Sequence, residues 1–343
     1  MRRIRFFGLF IALLFLCSGC AQSKPAQRQI FAMDTVMFFT AHGNHAENAL
    51  TQAQDYILQL EQALSVTRPE SDIAQINQNS GSWVKVGEET FSLLLAAKDL
   101  CLSTGGTLDI TAYPAVKAWG FTTGEYRVPD PAELAQLAEE IDYSRLELDK
   151  AGCSVRLPQG MELDLGAVAK GWAGEQLAHR IKAQGIDSAT LSLGGNVQTV
   201  GCKPDGSPWR LGIQDPHSQQ GAYLASVAVE DMAVVTSGGY ERYFEENGVH
   251  YCHIIDPETA APAQGGLASA TIVGSSGTLC DAYSTALFLM GPEEAARFWQ
   301  KHQTEFDYIL VLEDGSIHIT QGLNDTFQLT EGYKDRKVTV IAP

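Results

Sequence analysis

The segment Asp164-Leu165-Gly166-Ala167-Val168-Ala169-Lys170-Gly171 sets groups fit for chemistry at a change of backbone. Met161, Leu163 and Leu165 alternate with Glu162 and Asp164, the period of a strand, and a helix reads from Ala167 to about Gln184. Gly166 lets the chain turn without a Cβ penalty. The helix start directs unpaired N–H groups outward, and Asp164 and Lys170 bracket it. A carboxylate and a cation beside such an anion seat suit a phosphate-bearing ligand rich in hydrogen-bonding groups. A tight strand-to-helix corner with a surface ion pair has the same composition.

Asp281, Ser284 and Thr285 form a second group. At i, i+3 and i+4 they share one face of a helix reading from about Leu279 to Met290, among Ala282, Tyr283, Ala286, Leu287 and Phe288. A carboxylate on so apolar a helix is costly unless it is paired. Oxygen-only ligands suit a hard cation such as Mg²⁺ rather than zinc. The alternative is a cap, with Asp281 accepting backbone N–H groups near the helix start. A third group runs Thr236-Ser237-Gly238-Gly239-Tyr240-Glu241 and then His253-Ile254-Ile255-Asp256-Pro257. His253 is either a general base or a structural strand histidine. In Thr107-Leu108-Asp109-Ile110-Thr111-Ala112-Tyr113-Pro114, aromatic and apolar residues around Asp109 make either a wall for a flat ring or core.

These groups need a framework. Ile30–Thr40 reads as a first strand. Ala46–Leu64 reads as a helix with Ala49, Leu50, Ala53, Tyr56, Ile57, Leu60 and Leu64 on its buried face. Further helices read at Glu88–Ser103, ended by Gly105-Gly106, at Pro131–Glu140 and at Pro292–His302. Arg145–Asp149 and Cys153–Leu157 read as a hairpin, and from Ala189 onward most segments read as strands. With neither a low-complexity linker nor a short repeat after residue 30, the expectation is one large α+β domain, mostly antiparallel sheets covered by helices, over residues 30–343.

The net charge of −17 argues against nucleic acid or an anionic membrane surface as a partner. A phosphate ligand would then need local cations. Arg2, Arg3 and Arg5 precede an apolar run, Phe6–Cys17, of signal-peptide length. The run ends in Cys17-Ser18-Gly19-Cys20, which is similar to a bacterial lipobox, although Cys17 stands where leucine is usual. Residues 1–19 are expected to be a lipoprotein signal, with Cys20 as the lipidated membrane anchor and residues 20–29 as a tether; a simply secreted chain is the alternative. The remaining cysteines, Cys101, Cys153, Cys202, Cys252 and Cys280, are odd in number and scattered, unlike a disulfide framework or a zinc site.

Taken in order, Met33-Asp34-Thr35, Leu64-Ser65, Pro69-Glu70-Ser71, Ile76-Asn77, Leu108-Asp109-Ile110-Thr111, Trp119-Gly120-Phe121, the Asp164–Gly171 corner, Gly194-Gly195-Asn196, Thr236-Ser237-Gly238, His253–Pro257 and Asp281 with Ser284-Thr285 resemble the ApbE family, the FAD:protein FMN transferases. The resemblance runs from about residue 30 to the C-terminus and implies a T-fold-like catalytic domain. It implies a Mg²⁺-dependent cleavage of FAD in which FMN passes to a threonine or serine hydroxyl of an acceptor protein and AMP leaves. Some members hydrolyse FAD to FMN and AMP instead, and a lipoprotein that binds FAD without chemistry is a further alternative. The implied acceptors are extracytoplasmic flavin-carrying parts of redox-driven ion pumps and electron-transfer proteins, which places the chain on the outer side of a bacterial cell membrane. By the same resemblance, Met33, Thr67, Thr107, Leu108, Asp109, Asp164, Lys170 and Ile255 line the FAD site. The Ala167 carbonyl, Asp281 and Thr285 hold the metal, with Ser284 assisting, and His253 deprotonates the acceptor hydroxyl. The sequence departs from the family pattern at Ala260, where glycine is common, at Glu175, often aspartate, and at Ser284, aspartate in some members.

Overall fold

The computed structural model describes residues 24–343 apart from residue 220. The signal segment and the lipobox cysteine Cys20 lie outside the described residues. Nine strands form the main sheet: β1 (Ala26–Ala32), β2 (Thr35–Ala41), β3 (Ser188–Leu193), β4 (Asn196–Gly201), β5 (Ala233–Gly238), β6 (Leu267–Gly274), β7 (Phe306–Leu312), β8 (Ile317–Thr320) and β9 (Val338–Ile341). They stand side by side in chain order. Every neighbouring pair is antiparallel except β8 and β9.

Two expectations change at the start of this sheet. Ala26–Gln29, read as tether, is the first half of β1 and pairs with Phe38–Ala41. The single strand expected at Ile30–Thr40 is a hairpin turning at Met33-Asp34, where both residues take positive φ, 50° and 59°. That is the geometry of a tight two-residue hairpin turn, normally signalled by Asn-Gly or Asp-Gly. Met-Asp carries no such signal. The turn is held from outside, because the Met33 N–H donates to Glu61 Oε1 at 2.9 Å.

Helices α1 (Ala46–Leu64), α2 (Glu88–Ser103), α3 (Ala169–Ala183) and α4 (Gly277–His302) bury their apolar faces in one large core shared with the sheet. Met37 and Phe39 of β2 and Leu191 and Leu193 of β3 point into it, while the alternating Phe38 is exposed. On the other face, Val234, Val273, Ile309, Val311, Ile317 and Ile319 pack against a three-stranded antiparallel sheet of Trp209–Gln214, Tyr223–Val229 and Phe327–Leu329. The covering there is thus a second sheet rather than helices. Strand β6, sandwiched on both sides, is buried at every residue. The two helices read at Leu279–Met290 and Pro292–His302 are the two arms of α4. They meet at Gly291, whose φ of 73° and ψ of 175° no helix contains. Among the described residues, no helix is long and apolar enough to cross a membrane.

Candidate active site

The Asp164–Gly171 corner is not preceded by a strand. Met161–Leu165 is extended but joins no sheet. Its backbone groups are satisfied one at a time. The Asn77 carboxamide donates to the Leu163 carbonyl at 2.8 Å and accepts from the Leu163 N–H at 2.9 Å, and the Asp164 N–H donates to the Ile110 carbonyl at 2.9 Å. These bonds fix the corner against the Leu108–Thr111 segment. Asp164 Oδ1 accepts from the Gly166 N–H at 2.8 Å and closes the turn.

Helix α3 then crosses α4 at very close range. A Cβ on Gly171 would sit 2.2 Å from the Gly277 carbonyl oxygen and 2.5 Å from Asp281 Cβ, so the crossing requires glycine. It delivers the Gly171 N–H to Asp281 Oδ2 at 2.8 Å. Gly171 is the third residue of α3, whose cap is Val168, so its N–H is a first-turn donor that no helical carbonyl reaches. Asp281 accepts it, and the Ala167 carbonyl just before the helix accepts no backbone bond among the described residues. The helix cap is a different residue: Ser276 Oγ accepts from the Leu279 N–H at 3.2 Å. Glu175 of α3 reinforces it, its Oε2 accepting from Ser276 Oγ, the Thr278 N–H and Thr278 Oγ1 at 2.8, 3.0 and 2.9 Å. Asp281 therefore does not cap its own helix and instead accepts a first-turn N–H of α3. It is a carboxylate only 5 % exposed, held by α3 and facing the corner.

Thr285, one turn further along α4, lies 3.2 Å from Ser237 Oγ at the end of β5. Ser284 Oγ is fully buried, donates to the Asp281 carbonyl at 2.8 Å and meets Ser237 Oγ at 2.8 Å. Ser237 thus joins β5 to both hydroxyls. Among the described residues no cluster of three or more His, Cys, Asp or Glu is arranged to hold a metal. The oxygens present are one carboxylate, a freed carbonyl and hydroxyls. Such a set fits a hard cation that takes its remaining ligands from water and phosphate, and it does not fit zinc.

His253 receives a fixed orientation from the segment bearing Arg242. Its backbone N–H and its Nδ1 both lie against the Arg242 carbonyl, at 3.0 and 3.2 Å. With Nδ1 donating, Nε2 is the basic nitrogen. Burial pushes its pKa down to about 4, and the positive charges of Arg242 and Lys170 add to the depression. Asp164 goes the other way: desolvation raises its carboxyl above the usual range, opposed by the Gly166 N–H and the Arg242 charge. Asp164, Lys170, Arg242 and His253 therefore share one electrostatic neighbourhood. The Phe121 ring stands edge-on to His253 with centroids 6.4 Å apart, leading into a cluster of Trp119, Phe244 and Tyr251.

The other expected residues fall around this centre. Met33 occupies the strained hairpin turn bonded to Glu61, and Glu61 also pairs with Arg68 at 3.2 Å beside Thr67. Thr67 is exposed and its hydroxyl lies 3.1 Å from Ser65 Oγ. Thr107 is half-buried and Leu108 is in the core. Asp109 has both oxygens occupied, Oδ1 by the Thr111 N–H and hydroxyl at 2.7 Å and Oδ2 by the Tyr143 N–H at 2.8 Å, so its carboxylate shapes the loop. Ile255 is buried beside Trp119 and Phe121. Ala260 takes a φ of 50°, the left-handed conformation that glycine adopts without a Cβ penalty.

The ApbE family model matches residues 33–310. The chain belongs to the ApbE family. A FAD:protein FMN transferase of Treponema pallidum is 33 % identical over 335 residues, covering 92 % of each chain. One from Klebsiella pneumoniae is 31 % identical and covers 85 % of this chain and 91 % of its own. The crystal structure of the ApbE protein of Thermotoga maritima superposes with a TM-score of 0.82 at 29 % identity, over 87 % of this chain and 98 % of that one. The Pseudomonas stutzeri flavinyl transferase ApbE gives 0.77 at 26 % identity, over 92 % and 97 %.

Two features of the candidate site in this ApbE chain escape motif reading. Arg242 stands just past the Gly238-Gly239 turn, a single cation among Glu241, Glu245 and Glu246, and its isolation was the available signal. The Gly171–Gly277 contact joins two glycines far apart in sequence, and nothing local marks it.

Proposed function

We propose that this chain transfers FMN from FAD to a hydroxyl of an acceptor protein, with release of AMP, and that a divalent cation, Mg²⁺, assists at the oxygens of Ala167, Asp281 and Thr285. The observation that carries the reading is the bond from the first-turn Gly171 N–H to Asp281, which sets a buried carboxylate beside a corner whose Ala167 carbonyl accepts no backbone bond. A cation bound there supplies charge neutralisation at the diphosphate. Lys170 adds a second positive charge without which this acidic chain would repel the substrate. His253 Nε2 accepts the proton of the incoming hydroxyl, whose oxygen bonds the phosphorus of the FMN half. The bond from that phosphorus to the AMP phosphate breaks and AMP carries the electron pair away. Held neutral by burial and by two neighbouring cations, His253 is available as a base throughout the physiological range. Asp164 and the Leu108–Thr111 segment orient the dinucleotide, and the chain's main contribution is positioning.

The acceptor residue is a threonine or serine of an extracytoplasmic flavin-carrying protein, and Cys20 anchors the enzyme to the outer side of the membrane. Incubation with FAD, Mg²⁺ and a candidate acceptor tests the reading. Flavin fluorescence that stays with the denatured acceptor, together with AMP, supports transfer. AMP without labelled acceptor assigns hydrolysis, and neither product leaves a flavin binder.

A further inference from the structure

Directly beneath the crossing of α3 and α4, the helix-facing side of the sheet is mostly apolar. Leu191 and Leu193 of β3 and Ala233 and Val235 of β5 are buried there. Between them β4 presents Asn196 and Gln198. These carboxamides are only 4 % and 6 % exposed. They line a cavity of ≈ 10 Å³ roofed by Lys170, Gly171, Gly174 and Gly277. Gln198 Nε2 donates to the Thr199 carbonyl at 3.3 Å. Gln198 Oε1 and both Asn196 Nδ2 and Oδ1 have no hydrogen-bond partner within the protein. Buried polar atoms left in that state are costly, and two such side chains in a mostly apolar layer call for a ligand.

The chemistry of the three atoms selects it. Two are acceptors and one is a donor. A water molecule donates twice and accepts once, which answers all three. A monovalent cation would engage the two oxygens but face the Nδ2 hydrogens with like charge. The cavity has about the volume of one solvent probe, and a buried water with about three polar partners is the usual occupant of such a space.

We infer that Asn196 and Gln198 hold one water molecule under the Gly171–Gly277 contact, and that this water sets the height at which α3 presents its N–H to Asp281. The connection is short: a Cβ on Gly277 would lie 2.6 Å from the Gly171 carbonyl oxygen and 3.0 Å from Gln198 Oε1. Whatever fills the space beside Gln198 therefore bears on both helices at the point where they touch. Asn196 and Gln198 are positioning residues. The second half of the inference rests on the metal-binding reading of Asp281, and the first half does not.

A high-resolution crystal structure of the protein grown in a rubidium salt decides the first half. Expected is one density peak in hydrogen-bonding contact with Asn196 Oδ1, Asn196 Nδ2 and Gln198 Oε1, without rubidium anomalous signal. An anomalous peak, or no density, overturns it. The second half is read in Gln198→Met, which keeps the side-chain volume and removes the acceptor, with Asn196→Leu as the second variant. Calorimetric titration of Mg²⁺ into the protein should show an affinity roughly three- to tenfold weaker, while binding of FAD in chelator stays as in the parent protein. Loss of the water with unchanged Mg²⁺ affinity overturns the positioning role. If Asp281→Ala binds Mg²⁺ as the parent does, the metal assignment itself fails, and the crystallographic result still stands or falls alone.

Discussion

Replacing Gly171 by alanine perturbs the one contact on which the candidate metal corner depends. The added Cβ would lie 2.2 Å from the Gly277 carbonyl oxygen and 2.5 Å from Asp281 Cβ, against an ordinary contact of 3.4 Å or more. The helices must separate by at least about 1 Å, and both obstructing atoms belong to a helix backbone or its first side-chain carbon. Overpacking of this kind costs about 1–3 kcal/mol. Separation also stretches the 2.8 Å bond from the Gly171 N–H to Asp281, a bond to a charged group contributing about 1.5–3 kcal/mol. Alanine returns about 1 kcal/mol through its better helix propensity. The net expectation is a loss of about 2–5 kcal/mol, which for a domain of this size lowers Tm by roughly 4–10 °C. Separation also moves Asp281 away from the Ala167 corner, so the Mg²⁺ requirement should rise well beyond what the thermal effect implies. Scanning calorimetry and Mg²⁺ titration of FAD cleavage measure the two effects separately. A variant with the parent Tm and the parent Mg²⁺ dependence would refute the argument that this glycine pair carries the site.

Asp281→Ala should abolish FAD cleavage at any attainable Mg²⁺ while leaving a folded protein, as judged by near-ultraviolet circular dichroism; retained turnover removes Asp281 from the metal site. With His253 depressed to about 4, the acid limb of kcat/KM should fall near that pH, and Arg242→Gln, by removing one of the two cations, should move it upward by roughly one unit. An unmoved limb separates Arg242 from His253. Depression of a base also carries a stability sign: the unfolded chain binds a proton at His253 below its ordinary 6.5 and the folded chain does not until about 4, so this group's share of stability is full above 6.5 and declines as pH falls through that window. His253→Gln should flatten that part of a Tm-against-pH curve. Glu175→Ala leaves the Thr278 N–H and two hydroxyls without their acceptor and should cost about 2–4 kcal/mol, with guanidinium unfolding as the measure.

Much of this arrangement was legible in the residues. The 3.6-residue apolar period gave Ala46–Leu64 to the residue, and Gly105-Gly106 closed the helix at Glu88–Ser103. Gly291-Pro292 marked the bend in α4. The Met33-Asp34 turn was invisible, since a distant carboxylate rather than turn chemistry holds it. The strand expected before Asp164 failed for a related reason: alternation showed which side chains are buried, but the partner was the Asn77 carboxamide instead of another strand. At the site, the i, i+4 pairing of Asp281 and Thr285 was readable, whereas the identity of the helix cap was not, because Ser276 and Glu175 together hold that helix end. Arg242 acts through space on groups from two other segments, and no local pattern encodes that.

The side-by-side arrangement of β1 to β9 in chain order has a consequence for how the enzyme comes into being. A polypeptide synthesised N-terminus first can add each strand to an edge already laid down, although β2 must wait for β3 across residues 42–187. The meeting of Gly171 with Asp281, 110 residues downstream, comes later still, and it must await four further strands of the main sheet, β3 to β6. Until then the nascent molecule is a growing scaffold with no grip on flavin, so its capacity to break a dinucleotide is switched on by the completion of its own architecture.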